Sequence, residues 1–275
     1  MPLRPRLVVL IQYTFLAIAG LVVLFPVLYA LVVSFETAAE SVAYPPRFLP
    51  SRLNWESYAQ ALRTAPIVRF IVNSFIVSGL VTLGQLMTAS LAAYAFSFLR
   101  FRGRTLLFYL VLSTMMIPWE VTIIPNYFTM KYLGWLDTYQ GLTVPFVATA
   151  FGTFLLRQAF LTIPRDLNDA AAIDGCGHFR FFTTVVLPLS RPALGTLGVY
   201  AFLTTYNMYL WPLLVTNTDN MRTVQIGLSM LQWDQAIAWN SMMAGVILVL
   251  VPTALLLILG QKQLIRGLTA GAIKG

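Results

Sequence analysis

Few residues in this sequence could carry out chemistry. His178 is the single histidine and Cys176 the single cysteine, so neither a metal centre nor a histidine-activated nucleophile has the partner residues it needs. The sequence also lacks the Gly-x-x-x-x-Gly-Lys-Ser/Thr loop that cradles the phosphates of ATP. We therefore expect that the chain is not an enzyme, that it binds no metal or cofactor itself, and that His178 has a surface or docking position.

Ionisable side chains inside apolar stretches are the next candidates, because a charge in hydrocarbon is costly. Glu120 follows Pro118 in one such stretch. Either Pro118 breaks a helix and Glu120 occupies the first turn of the next half, where the helix dipole favours a negative charge, or Glu120 and Asn126 lie at the outer end of a solute cavity. Arg157 is better interpreted as a side chain that extends from the inner end of a span to the membrane surface.

A group of aromatic and amide side chains, Tyr206, Asn207, Tyr209 and Trp211, ends another apolar stretch. Rings can stack on the C–H faces of a sugar or polyol, and an amide can hydrogen-bond its hydroxyl groups. The same residue types form the aromatic belt at a membrane–water interface. Solute contact and interfacial anchoring both fit these four residues.

The elbow, as we name residues 162–192, is predicted to be a helix–glycine–helix element. Its first helix would start at Pro164, with Asp169 near the positively polarised end. Gly175 is placed to end that helix, because glycine adopts the left-handed conformation without a Cβ penalty. A second short helix is expected over 178–186.

The elbow is longer than the roughly two to eight residues that usually join neighbouring helices. Small alanines, Ala170 to Ala172, would allow the backbone of another protein to approach closely. The element is therefore suited to docking a partner, with a structural cap on the helix bundle as the alternative.

The composition places these candidates in a membrane protein. The 275 residues are 58% hydrophobic and only 10% charged, with a mean hydropathy of +0.76, whereas a soluble domain has roughly 25% charged residues. A soluble enzyme, a disordered regulator and a nucleic-acid binder are excluded. The net charge of +8 is informative because the distribution of Lys and Arg over the loops predicts the orientation in the membrane.

Six apolar segments predict six transmembrane helices, at about 7–34, 71–98, 106–127, 142–161, 193–214 and 238–259. The first is too long for a cleavable signal peptide and is expected to remain as an anchor. Lys and Arg concentrate in alternate loops, most densely at Arg100, Arg102 and Arg104, which predicts that both termini are cytoplasmic. The longest outer loop, 36–70, would hold an amphipathic helix on the membrane surface or a loop packed on the bundle.

The elbow resembles one family specifically. Asp169-Ala170-Ala171 is followed by three residues and Gly175, then by nine residues and Val185-Val186-Leu187-Pro188. Permease subunits of ATP-binding-cassette (ABC) importers, in the branch of the maltose and glycerol-3-phosphate systems, carry Glu-Ala-Ala, Gly and Ile-x-Leu-Pro at this spacing. The chain departs from that pattern at Asp169 and Val185. The resemblance covers nearly the whole chain and is closest to the glycerol-3-phosphate branch in residues 207–214.

This resemblance implies the type I ABC importer permease fold, an all-α polytopic membrane protein of the prokaryotic inner membrane. It implies that the elbow is a coupling helix seated in a cleft of an ATPase subunit through eight residues: Asp169, Ala170, Ala171, Asp174, Gly175, Phe179, Leu187 and Pro188. The partners would be a second homologous permease, two ATPase subunits that use ATP and Mg, and an extracytoplasmic solute-binding protein. The implied solute is glycerol-3-phosphate, a glycerophosphodiester, or a sugar or oligosaccharide.

Three domains are expected: 1–66 with the first helix and outer loop, 67–262 as the permease core, and 263–275 as a cytoplasmic tail. One rival function is an ion-coupled secondary transporter or channel that works without an ATPase. Such proteins usually need several membrane-embedded acids or bases, and this chain has Glu120 and little else of that kind. A membrane scaffold without transport activity is a second rival.

Overall fold

The computed structural model of the protein describes residues 5–233 and 239–269. Within these ranges the chain is helical and contains no β-strand. Three positions on which predictions rest lie outside the described residues: Arg4 and Lys274, which belong to the Lys and Arg distribution that predicts the orientation, and Ala238, at the start of the sixth segment. Of the predicted tail 263–275, residues 270–275 also lie outside them.

Most helices of the described part follow one another with short connections, and the longest connection, between the first two, covers residues 35–55. In chain order they are α1 (Pro5–Ser34), α2 (Glu56–Thr64), α3 (Ile67–Phe98), α4 (Arg104–Ser113), α5 (Trp119–Tyr132), α6 (Tyr139–Thr143), α7 (Ala150–Leu161), α8 (Arg165–Ile173), α9 (His178–Phe181), α10 (Leu187–Leu189), α11 (Arg191–Tyr206), α12 (Leu210–Val215), α13 (Val224–Trp233) and α14 (Trp239–Thr269). Short 3₁₀ turns lie at Glu40–Val42, Thr114–Met116 and Val144–Phe146, and a π-helical turn at Phe182–Val186.

Three helices are long and apolar enough to cross a membrane alone: Val9–Ser34 in α1, Ile67–Phe98 and Trp239–Gln261 in α14. Three pairs of shorter helices reach that length only together, and each pair is bent. The bends measure 96° before α5, 47° before α7 and 78° before α11. The described chain therefore offers three spans, or up to six if each bent pair crosses once.

Two of the predicted apolar segments, 106–127 and 142–161, are not single helices, and this corrects the sequence prediction. Pro118 has no N–H and forces Ile117 into an extended conformation with ψ of 112°, so α4 cannot continue into α5. The second break follows the turn Val144–Phe146. The fifth predicted segment, 193–214, is also interrupted, between Tyr206 and Leu210.

The chain divides into two compact units, of which the first comprises residues 1–67 and 227–251. The carbonyl oxygen of Glu36 accepts hydrogen bonds from Asn54 (3.1 Å), Ser57 (3.4 Å) and Asn240 (3.0 Å). The helix expected in the outer loop is present as α2, and its Ser57 and Ala61 are buried. This burial favours the packed arrangement over a helix that lies free on the membrane surface.

The second unit, residues 68–226 and 252–275, contains the elbow and all the candidate solute residues. Its loops beyond α5 and α12 are joined by Asp137, whose carboxylate accepts from the backbone N–H groups of Asn217 (2.7 Å) and Thr218 (2.9 Å). The N–H of Asp137 donates to Val215 (2.8 Å), and its φ is 54°. Burial opposes ionisation, but the hydrogen bonds outweigh it and lower the pKa of Asp137.

Asp137→Ala is expected to destabilise the protein by about 2 kcal/mol, because hydrogen bonds to a charged acceptor are lost and alanine tolerates positive φ poorly. Asp137→Asn should be intermediate, since one acceptor oxygen remains. A lowered pKa means that this stabilisation is present above the ordinary aspartate pKa and is lost as the pH falls through the folded-state value. Thermal unfolding of the purified protein at several pH values measures it; equal stability of wild type and Asp137→Ala at pH 7 would contradict it.

Candidate functional site

The first helix of the elbow ends in the glycine cap that the sequence predicts. Gly175 has a φ of +69°, and its N–H donates to Ala172 (3.1 Å) while the N–H of Cys176 donates to Ala171 (2.8 Å). This pair of bonds is a Schellman motif, which satisfies carbonyl groups at the helix end. A Cβ on Gly175 would meet no atom within 4 Å, so the backbone conformation alone explains the need for glycine.

The inner side of the elbow is packed into a core shared with α3, α7 and α11. Phe181, Phe182 and Val186 are buried in it together with Tyr94 and Leu156. Other members of this core, or residues packed against it, are Ala89, Ala93, Phe160, Ile163, Leu197, Ala171, Cys176, Val185 and Leu187. The elbow is therefore fixed to the membrane helices by contacts along its second half.

Tyr94 adds a polar contact between α3 and the elbow. Its hydroxyl donates to the carbonyl oxygen of His178 (3.2 Å) and lies 3.0 Å from Nδ1 of the same residue. Phe98, one turn further along α3, packs edge-on against Phe181 with ring centroids 5.4 Å apart. His178 is thus an anchoring residue at the surface of the protein, a role that its position in the sequence did not indicate.

The outer side of the elbow exposes apolar tips among acidic side chains. Ile173 is 87% exposed and Phe179 77% exposed, and Leu167 is also exposed. Five of the eight predicted coupling residues are exposed as well: Asp169, Ala170, Asp174, Gly175 and Phe179. We call Leu167, Ile173 and these five residues the outer face of the elbow.

The other three predicted coupling residues, Ala171, Leu187 and Pro188, are half-buried, and two of them pack against the inner core. These residues stabilise the elbow from inside and are not part of its exposed surface. Ile173 and Leu167 were missed by the sequence interpretation. The sequence did contain a signal for Ile173, because this large apolar residue stands among alanines and acidic residues and has no large apolar neighbour with which to form a buried face.

The π-helical turn Phe182–Val186 lies within the second half of the elbow. Such turns occur as single-turn bulges, frequently at functional sites. The chain then bends by 78° between the helices that end at Leu189 and begin at Arg191. The elbow thus continues into α11 through a bend.

A second polar region surrounds the breaks in the membrane helices. Gln85 on α3 donates through Nε2 to the carbonyl oxygen of Phe146 (2.9 Å), and Thr88 Oγ1 lies 2.7 Å from the carbonyl oxygen of Val147. These carbonyl groups belong to the break before α7 and have no helical partner of their own. A cavity of about 330 Å³ opens there, with Gln85, Thr114 and Thr149 in its lining.

The six predicted solute residues separate into accessible and buried groups. Glu120 lies in the first turn of α5 and is exposed, as are Asn207 and Tyr209, while Asn126 is half-buried. Glu120 thus occupies the dipole-favoured position of the first alternative interpretation. Asn207 lies at the break after α11, where it accepts from Gln225 Nε2 (3.2 Å).

Tyr206 and Trp211 lie inside the protein, away from the exposed surface at which either solute contact or interfacial anchoring would place them. Trp211 is fully buried, and its indole N–H donates to the carbonyl oxygen of Gly141 (3.0 Å). Tyr206 packs edge-on against Phe75 with centroids 5.6 Å apart. Arg157 lies with its guanidinium 4.1 Å from the ring centroid of Phe108, a contact within the protein.

Comparison with known proteins gives a consistent result. The family model of the binding-protein-dependent transport system inner membrane component matches residues 85–269. The sn-glycerol-3-phosphate transport system permease protein UgpE of Brucella abortus (strain 2308) is 38% identical over 268 residues, which cover 94% of this chain and 95% of that protein. UgpE of Rhizobium meliloti (strain 1021) shows the same identity and coverage, and UgpE of Yersinia pestis bv. Antiqua is 37% identical over 261 residues, 92% of this chain and 93% of that protein.

Among solved structures, a chain of a bacterial ABC transporter involved in the import of the acidic polysaccharide alginate matches with a TM-score of 0.84 at 22% identity. The match covers 95% of this chain and 99% of that one. A chain of the bacterial alginate ABC transporter in complex with an alginate pentasaccharide-bound periplasmic protein matches with a TM-score of 0.65 at 14% identity, covering 91% and 92%. At these identities the structures show the fold.

Tyr94→Phe is expected to loosen the elbow without unfolding the core, because only the hydroxyl that bonds His178 is removed. A neutral hydrogen bond contributes about 1 kcal/mol, so amide hydrogen exchange in residues 178–182 should become roughly fivefold faster. Tyr132→Phe is the control, since Tyr132 is 90% exposed. Unchanged exchange in the Tyr94 variant would mean that the hydroxyl does not hold the elbow.

Proposed function

The chain belongs to the family of binding-protein-dependent transport system inner membrane components. On that basis we propose that it serves the import of glycerol-3-phosphate or a glycerophosphodiester, with the elbow as its ATPase-coupling element. It is a multi-pass permease subunit of an ABC importer and is not itself an ATPase. Family membership therefore argues against both rivals, the ion-coupled transporter and the scaffold.

The coupling role rests on the two sides of the elbow. Its outer face presents Ile173 and Phe179 to solvent, and burying two large apolar side chains in a partner would contribute roughly 3–6 kcal/mol of gross stabilisation. Its inner side is fixed to α3 and α7. We propose that an ATPase subunit binds the outer face and that movement of that subunit is passed to the membrane helices.

The complete importer, in this proposal, holds this chain, a second homologous permease, two ATPase subunits and an extracytoplasmic solute-binding protein. ATP and Mg are used by the ATPase subunits. The chain would cross the membrane six times, each bent helix pair counting as one crossing, with both termini in the cytoplasm. Residues 1–66, 67–262 and 263–275 would be the anchor with its outer loop, the transport core and a tail.

Ile173→Asp combined with Phe179→Asp is expected to abolish co-purification of the ATPase, because two carboxylates would have to be desolvated in the interface. Both side chains are exposed, so folding should be unaffected. Tyr132→Asp is the matched control, since it also places a carboxylate at an exposed aromatic position. Normal ATPase capture by the double variant, with equal expression, would refute docking at this face.

The proposed solute is supported by the UgpE relatives, whose names specify sn-glycerol-3-phosphate transport. A sugar or oligosaccharide is the second candidate, supported by the fold match to an alginate importer. The accessible residues Asn207, Tyr209, Glu120 and Asn126 are the proposed solute contacts of this subunit. Buried Tyr206 and Trp211 would support that surface from behind.

Asn207 can distinguish an anionic from a neutral solute. Asn207→Ala removes an amide hydrogen bond in either case and should reduce uptake about tenfold at low solute concentration. Asn207→Asp adds a negative charge, which should reduce uptake of glycerol-3-phosphate well below the alanine variant but leave a neutral sugar at the alanine level. Uptake of radiolabelled solutes by cells that carry the whole importer measures this; equal glycerol-3-phosphate uptake by both variants would contradict the anionic-solute assignment.

A further inference from the structure

A cavity of about 630 Å³ lies where α3 ends and α4 begins, against the first turn of α8. Arg100, Arg104 and Arg165 line it. The site is separate from the helix-break cavity and from the outer face of the elbow, except that Asp169 borders both the cavity and that face. Helix α3 is long and apolar enough to cross a membrane and ends at Phe98, which would place the cavity at the membrane surface.

The three arginines have no carboxylate partner within residues 5–233 and 239–269. The ion pairs found there join Arg47 to Glu40, Arg63 to Glu56 and Arg222 to Asp219. Arg104 donates to the carbonyl oxygen of Leu99 (3.0 Å), which leaves its positive charge uncompensated. Asp169 contributes the cavity's carboxylate without forming an ion pair.

Polar groups other than the arginines also face or border this cavity. Ser97 is among its lining residues, and its buried hydroxyl has no hydrogen-bond partner in the described part of the chain. Helix α4 starts here after Gly103, without a side-chain cap and without an acidic residue in its first turn. Uncapped N–H groups at a helix start favour the binding of an anion, and the positive charges of the arginines favour it too.

Besides the polar Thr105 and Asn168, the lining has an apolar wall of three residues, which narrows the kind of anion. Phe98, Phe101 and Leu106 line the cavity, and Leu106 is 64% exposed on a helix whose outward side is apolar. A small soluble phosphate needs no such wall. A phospholipid has both parts, a phosphate for arginine and acyl chains for the apolar side of a membrane helix.

We propose that this cavity binds the phosphate of an anionic phospholipid from the leaflet on the side of the elbow. Arginines near a membrane surface attract anionic lipids, and the guanidinium fork matches phosphate oxygens. This proposal rests on the proposed cytoplasmic position of the elbow, because that position decides which leaflet supplies the lipid. It does not depend on ATPase docking, because the ligand comes from the bilayer.

The test uses the full-length chain co-purified with its partner permease, delipidated and then titrated with phosphatidylglycerol or phosphatidylcholine, with bound lipid counted by native mass spectrometry. Wild type is expected to bind phosphatidylglycerol preferentially. Arg100→Gln combined with Arg165→Gln should weaken that binding roughly 25-fold, about fivefold for each arginine. Arg100→Lys combined with Arg165→Lys keeps the charge and should restore most of the affinity.

Arg102→Gln is the matched control, because Arg102 lies in the same loop but does not line the cavity. Equal loss of binding in this variant, or equal binding of phosphatidylcholine by wild type, would overturn the site. Displacement of the lipid by millimolar inorganic phosphate or glycerol phosphate at equal potency would assign the cavity to a soluble phosphate instead and would overturn the lipid proposal. ATPase capture is measured in parallel, so that failure of docking and failure of lipid binding remain distinguishable.

Discussion

Fixation of the elbow's inner side in the core is the constraint on which mechanical coupling depends. A surface loop without such contacts would absorb any push from a partner. Here Phe181, Phe182 and Val186 are buried with Tyr94 and Leu156, and burial of each large apolar side chain contributes roughly 1.5–3 kcal/mol. Separating the elbow from α3 and α7 therefore costs more than moving them together. In the proposed coupling, a displacement of the outer face would therefore be transmitted to the membrane helices.

The breaks in the membrane helices impose a second constraint on α3. In hydrocarbon every backbone carbonyl group needs a partner, and the break before α7 leaves the carbonyl groups of Phe146 and Val147 without helical ones. Gln85 and Thr88 supply contacts within hydrogen-bonding distance. Gly84 permits the close approach, because a Cβ there would be 2.8 Å from side-chain atoms of Val147. Polar and small residues in an otherwise apolar helix thus follow from the neighbouring break.

Sequence reasoning succeeded where the determinants are local. The cap at Gly175 and the helix boundary at Pro164 each depend on a few adjacent residues. The first-turn position of Glu120 after Pro118, one of the two alternatives open for that residue, is equally local. Sequence reasoning did not predict the burial of Trp211, whose hydrogen-bond partner Gly141 is 70 residues away in the chain. An aromatic residue near the end of an apolar stretch has the same sequence pattern whether it is buried or faces a solute.

The exposed position of Asp169 bears on its departure from the glutamate of the family pattern. Asp169 forms no ion pair within the described residues, and its carboxylate accepts a long hydrogen bond from Asn168 Nδ2 (3.5 Å). Replacing a glutamate by the shorter acid therefore removes no internal support of the elbow. The change affects the contact with a partner at the outer face, because the aspartate side chain is one methylene shorter and its carboxylate reaches less far. The rigidity of the elbow and the chemistry of its partner contact are thus set by different residues, the first by Gly175 and the buried aromatics, the second by exposed side chains that can vary with the partner.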